Sequence, residues 1–94
     1  MNIAALHPSN KEVSAKSFFN GELGTATAIQ LERNGTLKEH ITKVPALLLC
    51  IVGEVTYHDD ERAIGLKPGD YVAIKPEVKH WLQAAEKAQL ILLK

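Results

Sequence analysis

Two histidines far apart in the chain, His40 and His80, have the greatest potential for chemistry. Each lies beside a hydrophobic stretch: His40 precedes "ITKVPALLLCIV", and His80 begins "HWLQA". An imidazole at the mouth of a hydrophobic pocket can ligate a metal, hydrogen-bond a ligand or transfer protons near neutral pH. We therefore take these two side chains as the centre of a predicted site, which requires a fold that brings them together.

The single cysteine, Cys50, lies in the first of these hydrophobic stretches. A thiolate together with two imidazoles would favour a soft metal such as zinc or copper. A lone cysteine in an apolar strand is more often a small buried hydrophobic residue, and we favour that interpretation. With one cysteine the chain forms no internal disulfide, which agrees with a reducing compartment. The sequence has no nucleophile elbow, no phosphate-binding glycine loop and no C-x-x-C pair.

The composition restricts the classes of partner. With 94 residues, 46% of them hydrophobic, we expect one compact domain over 1–94, in which 1–20 is the least certain segment. Eleven basic and eleven acidic residues are scattered along the chain, so we expect neither a nucleic acid nor a membrane as partner. The longest apolar run, 44–52, is too short to cross a bilayer as a helix. Because the start also lacks the features of a signal peptide, we expect a cytoplasmic protein.

Alternation and turn residues predict a series of short strands. "TATAIQLE" at 25–32 alternates β-forming residues with alanine and glutamine, which predicts a half-buried strand. Asn34-Gly35 predicts a hairpin turn into "LKEHIT". The apolar run predicts a strand that is buried on both faces or lines a barrel, and Gly53 predicts a bend or bulge after it.

The last third of the chain has two interpretations. "KPGD" at 67–70 predicts a type II turn before the strand "YVAI". After Pro76, "HWLQA" and "QLILLK" predict two strands joined by a turn around "AEKA". The apolar residues here also lie near helical spacing, which would give a helix instead. We favour strands, because the upstream turns recur at the short, even intervals of an all-β sandwich or barrel.

The N-terminal segment is similarly open. "SNKE" at 9–12 fits a helix capping box, which predicts a helical turn before Phe18. A strand through "AKSFF" is an equal alternative.

The order of these features resembles the cupin superfamily, which comprises small all-β barrels of the jelly-roll or double-stranded β-helix type. "PGDYVAIKPEVKHWLQA" resembles the second cupin motif, and "GTLKEHITKVPALLLCIVGEV" resembles the first. The resemblance spans 35–84 and implies a homodimer, which would also protect the edge strands of an open barrel. In the family a metal is held by three histidines and a glutamate. Aligned on Gly53, His40 and His80 take two of these positions, whereas Thr42 and Ala46 replace the other two ligands.

In a barrel the side chains of a strand alternate between inside and outside. We expect seven residues to share the interior face: His40, Thr42, Ala46, Leu48, Cys50, His80 and Leu82. Because half of the family's ligand set is missing, we predict a mostly apolar cavity that binds a small molecule without a required cofactor. The alternative is that His40 and His80 bind a divalent zinc, iron, nickel or manganese ion in a dioxygenase or isomerase acting on a small organic substrate.

Overall fold

The computed structural model describes all residues, Met1–Lys94, and consists almost entirely of β-strands. Seven strands follow a 3-10 turn at Ile3–Leu6: β1 (Val13–Asn20), β2 (Thr25–Leu31), β3 (Thr36–His40), β4 (Ala46–Asp59), β5 (Ala63–Leu66), β6 (Tyr71–Ile74) and β7 (His80–Leu93). All strand pairs are antiparallel, which confirms the all-β prediction. The structure contains no helix with the length and hydropathy required to cross a membrane.

Two long strands, β4 and β7, pair with each other and organise the barrel. The first half of β4 also pairs with β6, and its second half pairs with β5. Likewise, the first half of β7 pairs with β3, and its second half pairs with β2, beyond which lies β1. Each long strand therefore passes from one layer to the other, which gives the two facing layers of a jelly roll.

Bulges allow the long strands to bend between the layers. The register of β4 against β7 shifts three times between Cys50 and Val55. Gly53 lies in this bulge with φ of +87°, and a Cβ there would collide with the carbonyl oxygen of Lys87. The bend predicted at Gly53 is therefore present, but it lies within one continuous strand of 14 residues.

Two local predictions were wrong, and the structure also resolves the two alternatives for the N-terminal segment. The turn expected around "AEKA" is absent, because β7 runs unbroken through 80–93 and only shifts its register near Glu86; this also excludes the helix. Asn34-Gly35 does form a turn, with φ of +65° at Asn34, but β2 and β3 each pair with β7 rather than with each other as a hairpin. Residues 9–12 form a turn instead of a capped helix, whereas the alternative strand is present as β1.

The core lies between the two layers and includes side chains from β2, β4, β5, β6 and β7. The outer face of β2 is also buried, because the 3-10 turn packs against it. Ala28 is fully buried there, and the side chain of Gln30 accepts a hydrogen bond of 2.6 Å from Gln89. The prediction of a half-buried β2 therefore underestimated its burial.

Candidate functional site

The structure brings His40 and His80 together. The two residues face each other in the register of β3 and β7, with their Nε2 atoms 2.9 Å apart and their ring centroids 4.1 Å apart. His80 is 2% exposed, whereas His40 is only partly buried. His80 thus forms the inner member of the pair, and His40 connects it to the surface.

Backbone carbonyls define the protonation of the two rings. Nδ1 of His40 lies 3.1 Å from the carbonyl oxygen of Lys38, and Nδ1 of His80 lies 3.0 Å from that of Val78. Because a carbonyl oxygen only accepts, both Nδ1 atoms must carry a proton. Two neutral rings in this tautomer present their Nε2 lone pairs to each other, so this contact is a hydrogen bond only when one Nε2 also carries a proton.

His80 is the ring that stays neutral. Burial lowers its pKa, and the nearby charges of His40 and Lys94 lower it further. The hydrogen bond to Val78 and the charge of Asp59 act in the opposite direction without reversing the shift. Burial therefore disfavours a positive charge on the inner ring of the pair.

A polar network that the sequence did not reveal supports the other side of His80. The ring of Tyr57 stacks on His80 with the centroids 5.9 Å apart, and its hydroxyl donates to Oδ2 of Asp59 at 2.9 Å. Asp59 also accepts bonds from the backbone of Glu61 and from the backbone and guanidinium of Arg62. Burial alone would raise the pKa of Asp59, but these bonds together lower it to about 2.

The side chain of Asp59 is only 5% exposed, although this residue begins the charged run "DDER". The alternation of β4 indicates this burial, because it places Val55, Tyr57 and Asp59 on the same inward face.

The interior beside the histidine pair is tightly packed. A void of only about 10 Å³ separates the two rings from the surrounding core, which is close to the minimum for one water molecule. Its walls are the two histidines and six apolar side chains: Ile29, Leu37, Leu48, Ile74, Leu82 and Leu92. Of the predicted site residues, Leu48 and Leu82 therefore adjoin the pair.

The other three predicted residues, Thr42, Ala46 and Cys50, are buried away from this void. The hydroxyl of Thr42 donates to the carbonyl oxygen of Val44 at 3.0 Å. The Cys50 side chain is fully buried, and burial, followed by the charges of Asp70 and Glu54, raises the pKa of its thiol. This environment favours the protonated thiol and agrees with a hydrophobic role in packing.

An open groove of about 710 Å³ leads from the surface to His40. It is lined by residues of β1, β2 and β3 and shares four residues with the interior void. Its walls combine apolar and charged side chains: Lys11, Glu12, Val13, Ala15, Thr27, Ile29, Thr36, Leu37, Lys38, His40, Leu92 and Lys94. The sequence did not predict the groove, because one wall belongs to β1, whose structure was undecided.

Comparisons with known proteins place this geometry in a structural context. No protein-family model and no curated protein matches the sequence. A cupin superfamily protein from Desulfitobacterium hafniense superposes with a TM-score of 0.86 at 13% identity, over 98% of this chain and 84% of that chain. A double-stranded β-helix domain protein from Klebsiella pneumoniae superposes with a TM-score of 0.86 at 18% identity, over 99% and 85%. The chain has the cupin fold.

A cupin-like protein from Thermotoga maritima agrees, with a TM-score of 0.78 at 24% identity over 87% of this chain and 67% of that chain. The fold predicted from the resemblance is confirmed. At these identities the similarity shows a shared fold and does not indicate an activity for this chain.

The metal implied by the cupin fold needs more ligands than the histidine pair supplies. Metal sites of zinc or non-haem iron use three or more protein ligands. No group of three histidine, cysteine, aspartate or glutamate side chains in the structure is arranged to hold an ion. Asp59, whose charge reaches His80, already accepts four hydrogen bonds. The ligand set of this chain therefore does not fit a resident metal.

Proposed function

We propose that this cupin-fold chain binds a small organic molecule in the groove, against the fixed ring of His40. The observation that carries the proposal is the position of His40, which lines both the open groove and the interior void. The volume of about 710 Å³ lies in the range of small-molecule sites. Because the interior void is far smaller, the proposal places the ligand in the groove rather than between the layers.

The histidine pair would orient the ligand. His80 fixes the ring of His40 through the bond between the Nε2 atoms, and the Lys38 carbonyl holds the other nitrogen. A side chain held at both nitrogens loses little conformational freedom when a ligand binds against it. Val13, Ile29 and Leu37 supply apolar walls around it, which is the usual composition of such sites.

The test is a titration of the ¹⁵N-labelled protein with 1-hexanol, an uncharged probe with an apolar chain and one hydroxyl. We expect saturable shifts of the backbone amides of Thr27, Leu37 and His40, which line the groove. A His40→Ala variant should weaken this binding, whereas Tyr71→Ala, an exposed aromatic residue outside the groove, should leave it unchanged. The proposal is wrong if 1-hexanol shifts only amides outside the groove.

The alternative is the metal-dependent enzyme, a dioxygenase or isomerase, because two imidazoles do meet at the predicted metal position. Elemental analysis of protein purified without added metal distinguishes the two functions. Under our proposal the protein carries no stoichiometric metal. Stoichiometric zinc, iron, nickel or manganese that disappears in a His40→Ala, His80→Ala double variant would support the enzyme instead.

A further inference from the structure

The groove contains an excess of positive charge. Three lysines line it, Lys11 before β1, Lys38 on β3 and Lys94 after β7, whereas Glu12 is its single acidic side chain. The chain as a whole is balanced, with eleven basic and eleven acidic residues, so this excess is local.

These charges have no partners within the protein. The chain forms two salt bridges, Arg62 with Asp59 and Lys87 with Glu32, and none involves a lysine of the groove. The carboxylate of Glu12 is directed to the backbone, because its Oε2 accepts from the amide of Thr36 at 3.3 Å. The charge of Lys94 also contributes to the lowered pKa of His80, the inner ring of the histidine pair.

The apolar walls of the groove indicate that its ligand also has an apolar part. Val13, Ala15, Ile29, Leu37 and Leu92 line the same groove as the lysines. A purely inorganic anion would leave these walls in contact with water, and a neutral hydrocarbon would leave the ammonium groups unpaired. The groove matches a molecule that has both an apolar body and an anionic group.

We infer that the ligand of the groove is an organic anion, a carboxylate or phosphate monoester whose charged group lies among Lys11, Lys38 and Lys94. Its apolar body would contact the walls beside His40. This inference rests on the proposed function, because it names the chemical class that the same groove would bind.

The experiment compares three probes with the same six-carbon chain: hexanoate, hexyl phosphate and 1-hexanol. Each is titrated into the ¹⁵N-labelled protein at low ionic strength, and the amides of Thr27, Leu37 and His40 report binding in the groove. We expect at least one anion to bind about fivefold or more tightly than 1-hexanol. Each exposed ion pair contributes up to about fivefold, and three lysines line the groove. Added salt should reduce this difference, because the lysines are exposed. The tighter of the two anions identifies carboxylate or phosphate as the preferred group.

A Lys38→Gln variant tests the role of charge without removing the side-chain stem. We expect it to weaken binding of the preferred anion about two- to fivefold and to leave 1-hexanol binding unchanged. Lys67→Gln is the matched control, because Lys67 is an exposed lysine in the turn before β6 and does not line the groove. Thermal unfolding of both variants checks that the fold is intact.

The outcomes separate the two ideas. If 1-hexanol binds in the groove as tightly as both anions, the inference of an anionic ligand is overturned while the proposed function stands. Equal loss of anion binding in Lys38→Gln and Lys67→Gln also overturns it, since the effect would then be one of net charge. If no probe shifts the groove amides, the proposed function and this inference both fail.

Discussion

At the scale of single residues, the histidine pair shows how burial determines the charge of a side chain. His80 lies in the core between His40 and Tyr57, so burial disfavours its charged form. His40 is the ring of the pair that lines the groove.

This arrangement predicts a dependence of stability on pH. The pKa of His80 in the folded state is below its ordinary value of 6.5, so the unfolded chain binds more protons as the pH falls below that value. The free energy of unfolding should consequently decrease as the pH is lowered from 7 to 5. Urea unfolding at several pH values measures this slope, and NMR titration of the His80 ring measures the pKa directly.

The control for this prediction must account for His7, whose pKa is also lowered by burial and by Lys16 and whose effect has the same sign. A His80→Gln variant should therefore show a smaller slope than the wild type, but not a flat profile. His58→Gln changes a histidine on the outer face and is the matched variant against which the smaller slope of His80→Gln is compared. An NMR pKa of His80 at or above 6.5 would contradict the prediction.

At the scale of elements, the bulge in β4 produces the bend that the barrel requires. β4 and β7 cross from one layer to the other, and Gly53 occupies a backbone conformation that L side chains rarely adopt. A close approach of the β7 backbone leaves no room for a Cβ at this position. Both constraints require glycine here.

Three glycine-to-alanine variants separate these constraints. Gly53→Ala combines a positive φ with a collision, so we expect a loss of at least about 2 kcal/mol in unfolding free energy. Gly69→Ala has a positive φ but open space, and should lose about 1 kcal/mol. Gly65→Ala has neither and should change stability by less than about 0.5 kcal/mol. Urea unfolding of the three proteins measures the order, and an equal loss for Gly53→Ala and Gly69→Ala would disprove the collision.

At the scale of the whole molecule, the outer face of the β4–β7 pair remains apolar. Leu47 pairs with Leu93 and Leu49 with Ile91 across the two strands, on the side opposite the core. The side chain of Leu93 is 42% exposed, and the neighbouring Phe19 is 60% exposed. We propose that a second copy of the chain covers this face, in keeping with the homodimer expected from the sequence.

Sedimentation analysis tests this assembly. The wild-type chain should sediment as a dimer, and a Leu49→Glu, Ile91→Glu double variant should sediment as a folded monomer, because two charges would then lie inside the interface. Ile41→Glu is the control, since Ile41 is an exposed apolar residue between β3 and β4, outside these strand pairs, and should leave the dimer intact. A wild-type monomer at high protein concentration would refute the proposal.

Most of the strands could be predicted from the sequence alone, as could the bend at Gly53, the turn at 67–70 and the inward direction of His40 and His80. These features depend on local properties: alternation has a period of two, and glycine and proline restrict the backbone within a few residues. The resemblance to cupins added the order of the two motifs, and with it the fold.

Which strands pair, and where a ligand could enter, depends on the folded arrangement of the two layers. Asn34-Gly35 predicted a reversal correctly but not its partners, because β2 and β3 pair with opposite halves of β7 and so lie in different layers. The burial of Asp59 and the meeting of β1, β2 and β3 at the groove arise from contacts between residues distant in the chain. Such contacts depend on how the layers pack, and a local pattern of residue types carries no information about them.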